Sequence, residues 1–236
     1  LLISLLFFKY LGLLVYPNFL FANHHSFKNF EVYSDRLIPI EINDVLEDVL
    51  ERINKSELYE SDDRFSIFFC NTSWRLSLLT RNPNVGGLVN QGLSNNVFIR
   101  ESEIEKNKIV SPAKGQEIAL AEERPLSYFL AHEITHSLQT KIERFMFVTT
   151  PNYIVDGYAD YIGKGPSFDY ERYLNDYKSN HATMNPSSGL YNKYHLMIAY
   201  LIDVKRITFV EIVKQKRSLE EIENELQNEY ATMQMP

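Results

Sequence analysis

Three residues with the spacing for metal chemistry lie together at His132, Glu133 and His136. They fall in the run Leu130-Ala131-His132-Glu133-Ile134-Thr135-His136-Ser137-Leu138, which has the pattern H-E-x-x-H. On an α-helix, residues four apart share one face, one turn above the other. Both imidazoles can therefore reach one metal ion. The glutamate between them stands beside that ion and can take a proton from a water that the metal activates. Apart from Glu133, no charge, Pro or Gly interrupts the run, so a continuous buried helix is expected.

A catalytic zinc ion takes three protein ligands and keeps a fourth position open. The extension that would supply a third histidine fails here, because Gln139 and Ile142 occupy its glycine and histidine positions. Cys70 is the chain's one cysteine and lies far upstream. The candidates that remain are Asp156, with Asp160 four residues later on the same helical face, and two later histidines, His181 and His195.

The stretch Asp156-Gly157-Tyr158-Ala159-Asp160-Tyr161, taken with H-E-x-x-H, resembles the gluzincin branch of the zincin metallopeptidases, which includes thermolysin. The resemblance covers two helices and is specific for the site. It implies a zincin-like catalytic domain with Zn²⁺ as cofactor, held by His132, His136 and Asp156. It implies Glu133 as general base, taking the proton of the attacking water and delivering it to the leaving amine. Asp160 matches the aspartate that accepts a hydrogen bond from the first histidine and fixes its tautomer. A donor to the oxyanion comes, in that family, from a Tyr or His on a downstream helix; Tyr191, Tyr194 and His195 are the matching candidates. One departure stands out. The family's ligand is Glu, and Asp is shorter by one methylene, about 1.5 Å of reach.

The elements that must position these groups follow from hydrophobic period. Residues 30–35 alternate as a strand, 65–70 form a buried strand, and 96–102 return to strand character. Ile42, Val45, Leu46, Val49, Leu50 and Ile53 predict a helix over 41–56. From Arg124 onward the pattern is helical over 124–143, 152–163, 168–179, 189–203, 207–216 and 218–230. The last of these opens on Ser218 and Glu221, a capping box. Strands first and helices last predict an α+β domain over 23–236, with a small mixed sheet in its N-terminal half and a helical C-terminal half. In zincins an edge strand just before the active helix pairs with extended substrate. The strand 96–102 is in that place, and the Gly/Asn-rich stretch 86–96 is either that edge or its approach loop.

Residues 1–22 are apolar but for Ser4, Lys9, Gly12, Pro17 and Asn18. About 20 such residues cross a bilayer, which predicts an N-terminal hydrophobic helix acting as a transmembrane signal-anchor or a signal peptide. The catalytic domain is then held at the membrane outside the cytoplasm, or secreted if that segment is cleaved. His24 and His25 follow it and are expected to face headgroups or solvent. A net charge of −7 with no Lys/Arg-rich run excludes the basic face of a nucleic-acid binder. One cysteine excludes a disulfide framework. The expected function is a zinc metallopeptidase acting on a peptide or protein. The alternatives are a catalytically weak zincin-fold scaffold at the membrane, or a zinc hydrolase of a non-peptide amide.

Overall fold

The computed structural model describes residues 2–113 and 115–233. Strands β1 (Asn23–Phe27), β2 (Phe30–Ser34), β3 (Phe65–Cys70), β4 (Gly87–Val89) and β5 (Asn96–Arg100) form one mixed sheet in the order β1-β2-β3-β5-β4. The central pairs β2·β3 and β3·β5 are parallel; the outer pairs β1·β2 and β4·β5 are antiparallel. Ser102–Glu103 and Lys108–Ile109 add a separate two-stranded ribbon. The result is a mixed α/β fold in which a small sheet is followed by a predominantly helical half, as the hydrophobic period predicts.

Parallel strands are buried on both faces and so read as near-continuous apolar runs. FSIFFC in β3 does this. Its Phe65, Ile67 and Phe69 join Phe30, Val32, Val97 and Ile99 in the main core. Its Phe68 and Cys70 point the other way, with Phe98 and Tyr33. The main core is closed by α2 (Ile42–Ile53), α4 (Leu126–Gln139) and α6 (Asn152–Lys164). Behind them lie α7 (Tyr170–Lys178), α8 (Asn192–Ala199), α9 (Phe209–Gln215) and α10 (Leu219–Met233), with a one-turn α5 at Met146–Thr149. The second face is covered by α1 (Leu2–Val15) and α3 (Ser73–Thr80), through Leu14, Leu76 and Leu79.

The apolar N-terminal run is thus a helix of 14 residues, laid on the sheet. Asn96 Nδ2 donates to the carbonyls of Leu14 at 2.9 Å and Val15 at 3.0 Å, satisfying groups that a helix end leaves unpaired. Tyr10 donates its hydroxyl to the Leu78 carbonyl at 2.8 Å. Among the described residues, no helix is long and apolar enough to cross a membrane. His24 and His25 lie in β1, where they bond Glu31 at 2.6 Å and Asn43 at 2.8 Å.

Several boundaries differ from expectation by a few residues, two of them for clear physical reasons. Helix α4 begins after Pro125 rather than at Arg124, because its first amides are met from outside: Leu126 and Ser127 donate to the backbone and side-chain oxygens of Asn107. The strand 96–102 is internal, flanked by β3 and β4, so the edge beside the active helix is β4, inside the Gly/Asn-rich stretch. The capping box of α10 forms as expected, with Ser218 N donating to Glu221 Oε2 at 2.6 Å and Glu221 N to Ser218 Oγ at 3.2 Å.

Candidate metal centre

Helix α4 is buried on nearly every side, which is why its sequence lacks a polar stripe. His132 and His136 point together toward α6, where Asp156 projects. The two Nε2 atoms are 3.2 Å apart, and His136 Nε2 is 3.5 Å from Asp156 Oδ1. The three ligand atoms lie within 4.8 Å of one another. Bonds of roughly 2.0–2.1 Å in a tetrahedron put ligand atoms about 3.3 Å apart, so the donor set fits one small metal ion. Among the described residues this is the one such group of three. The shorter Asp reaches because α6 runs close to its neighbours. A Cβ on Gly163 of α6 would stand 3.1 Å from the Tyr128 ring and 3.3 Å from the Tyr128 carbonyl oxygen of α4, a tight approach of the two helices.

Burial pushes both imidazoles toward neutrality. His136 is lowered to about 4 by desolvation, opposed by its hydrogen bond to Gln139. His132 is lowered by desolvation and by the neighbouring His136. Neutral rings offer the lone pairs that metal binding needs. Gln139 fixes which nitrogen does so: its Oε1 is 3.0 Å from His136 Nδ1, and its Nε2 donates to the Val155 carbonyl at 2.8 Å. His136 therefore carries its proton on Nδ1 and presents Nε2.

Glu133 lies across from Asp156 against β4. Desolvation and the Asp156 charge raise its pKa to about 8, against a hydrogen bond with the Val89 backbone. Asp156 is raised to about 6 by desolvation and by Asp160. Gly87 makes room for this arrangement, since a Cβ there would meet Glu133 Cγ at 2.7 Å.

Asp160 does not accept a hydrogen bond from His132, whose Nδ1 is buried without a partner. Its oxygens are committed elsewhere. Tyr128 donates to Oδ1 at 2.6 Å, while Lys164 Nζ and His195 Nδ1 donate to Oδ2 at 2.7 and 3.0 Å. Burial alone would raise this carboxyl; Lys164 and the His195 bond outweigh it and hold it well below the usual carboxylate range. Lys164 is 0% exposed. It also donates to Asn192 Oδ1 at 2.5 Å and the Leu190 carbonyl at 3.3 Å, so all three of its N–H groups are used.

Of the three candidate oxyanion donors, the structure brings Tyr191 to the centre. It has φ +56°, a backbone shape uncommon outside glycine, and its ring stacks on His132 with centroids 5.5 Å apart. Burial, then the charges of Asp156, Glu133 and Asp160, raise its pKa, so its hydroxyl keeps its proton. Tyr194 sits one ring further out, 6.5 Å from Tyr191. His195 is not at the centre: it is 1% exposed, bonded to Asp160 and stacked on Phe168 at 3.5 Å. His181 is exposed and bonded to Thr183. Neither joins the ligand group.

A cavity of ≈ 410 Å³ opens from His136 and Asp156 along Leu88 and Val89 of β4 and Asn90 and Gln91 just after it. The roles of Gln139 and Lys164 were not read from sequence, while β4 falls in the 86–96 stretch given as the edge or its approach loop. Gln139 was legible in principle, three residues past His136 and so on the same face; Lys164 likewise stands four past Asp160.

The chain matches no family model, no curated protein and no solved structure.

Proposed function

We propose that the protein is a zinc-dependent metallopeptidase of the gluzincin type, with a zincin-like catalytic domain, acting on a peptide or protein substrate. The observation that carries this reading is the convergence of His132 Nε2, His136 Nε2 and Asp156 Oδ1 beside Glu133. Two neutral imidazoles and one carboxylate suit zinc. When bound, zinc supplies a Lewis acid and brings the pKa of water toward neutrality.

The remaining work falls to the chain's own groups. Glu133, in the ionised form that a neighbouring cation favours, takes a proton from the attacking water. It then returns that proton to the leaving amine. Tyr191 keeps its hydroxyl proton and offers it to the oxygen on which negative charge develops. The β4 edge supports pairing with an extended backbone, as an added strand. The wall of α4, α6 and α8 side chains keeps bulk water from the ligand nitrogens.

The test is purified protein of the full chain, assayed for zinc by elemental analysis and for peptide cleavage. The expected result is one zinc per chain and cleavage that a chelator stops. Cleavage is lost in Glu133→Gln while zinc is retained. Zinc bound without any cleavage would favour a scaffold; hydrolysis confined to non-peptide amides would change the substrate but keep the centre.

A further inference from the structure

The cavity at the metal centre has a wall that the catalytic reading does not use. One end holds His136 and Asp156; the far side is formed by Phe7, Tyr10, Leu11 and Leu14 of α1. These four share one face of that helix by their three- and four-residue spacing. Their face is held against the protein rather than loosely laid on it: Leu14 is 3% exposed, and the Tyr10 hydroxyl and the α1 C-terminal carbonyls are bonded to α3 and β5. The volume, ≈ 410 Å³, lies in the roughly 300–1,000 Å³ range of ligand-holding clefts.

A second observation points to the occupant. Asn90 and Gln91, which line this cavity, each carry a buried side-chain atom without a hydrogen-bond partner, Nδ2 and Oε1, which a ligand reaches once the side chain turns toward it. Buried polar atoms without partners are rare in folded proteins. One is a donor and the other an acceptor, and a peptide backbone offers both complements. The rest of the lining is chiefly apolar, with Arg81 as its single basic side chain.

We propose that α1 is the specificity wall of this cleft, and that the cleft takes an extended peptide segment carrying bulky apolar side chains, seated against Phe7 and Leu11. This rests on the peptidase reading for what happens next, but the binding stands on its own geometry. The apolar character of residues 1–22 then serves the substrate as well as the sheet.

The experiment uses the zinc-loaded full chain with Glu133→Gln, which binds without turnover. Two fluorescent peptides are compared by anisotropy: one bearing Phe, Leu and Met side chains, and the same peptide with those positions changed to Ser. The apolar peptide is expected to bind at least about tenfold tighter. Phe7→Ser and Leu11→Ser should each weaken it by about tenfold. Phe8→Ser, an exposed neighbour outside the cavity, should leave it unchanged. Phe7 is 57% exposed, so its variant folds even if Leu11→Ser does not. Equal binding of the two peptides overturns the proposal, and so does a loss in Phe8→Ser as large as in Phe7→Ser. Cleavage by the unmodified chain separates the two readings. If it cleaves peptides without apolar preference, the wall is refuted and the peptidase stands. If α1-dependent apolar binding is found but no peptide is ever cleaved, the peptidase falls and the wall stands.

Discussion

Gln139 and His136 form a bonded pair on one face of α4, with Gln139 Oε1 3.0 Å from His136 Nδ1 and the same amide anchored to Val155 of α6 at 2.8 Å. One side chain thus sets the tautomer of His136 and ties together the two helices that carry the candidate ligands. Partners of this kind raise metal affinity by orienting the ring before the metal arrives.

Replacing Gln139 with Leu keeps the volume and removes both bonds. Zinc affinity, measured by competition with a chromophoric chelator, is expected to fall about 10–100-fold. His136 itself remains, so the site should still fill at high zinc. An affinity equal to that of the unmodified chain would mean that the ring is held by packing alone.

Lys164 is the second device. Its Nζ bonds Asp160, Asn192 and Leu190, and the last two flank Tyr191. Lys164→Met leaves Asp160 as a buried charge with its main partner gone. Breaking such a pair costs about 3–5 kcal/mol, and urea denaturation of the metal-free protein should read a loss of that size. The double change with Asp160→Asn removes the stranded charge and should recover part of it. If both variants lose the same stability, Lys164 acts through packing rather than charge.

Most of the sheet and the shared face of His132 and His136 were legible in the sequence because each rests on short-range pattern. β3 matches its apolar run residue for residue, and α2 and α6 differ from the period-based spans by a few residues at their ends. His132, Glu133 and His136 needed only the helical repeat. What escaped depends on long-range contact. The choice between edge and approach loop for 86–96 is settled only once β5 lies between β4, three residues long, and β3. α1 carries the apolar density of a membrane anchor, and its Leu14 packs on the second face of the sheet while Leu5, Leu6, Phe7 and Phe8 stay exposed. His195 lies in α8 and Tyr191 just before its start, yet Phe168 and Asp160 enclose His195, and no spacing rule reveals which of two neighbours faces the centre.

Tyr191 gives the third prediction. Tyr191→Phe keeps the ring on His132 and removes the hydroxyl. If the hydroxyl donates to the developing oxyanion, kcat should fall by about 10²–10³ with KM little changed. Tyr194→Phe, one ring further out, should cost much less. Steady-state kinetics on one cleaved peptide decides between them; equal losses would remove the special role of Tyr191.

Glu133 makes the pH dependence of the metal-free protein informative. Its ordinary pKa of 4.5 is raised to about 8 in the folded chain. Below pH 4.5 the carboxyl is protonated in folded and unfolded chains alike, and its contribution to stability is fully present. Between there and about pH 8 the unfolded chain releases the proton while the folded chain holds it, so stability is lost as pH rises. Glu133→Gln has no such titration. The variant should therefore match the parent in acid and exceed it near pH 8, by at least about 1 kcal/mol, or roughly 2–4 °C in Tm. The depressed imidazoles of His132 and His136 act the opposite way, losing stability as pH falls, but both proteins carry them and their effect cancels in the difference. Calorimetry in the presence of chelator, run across this pH range on both proteins, measures the gap. A gap that stays constant with pH would mean that Glu133 is not held protonated by its buried setting. The base of the proposed reaction would then be a carboxylate of ordinary strength.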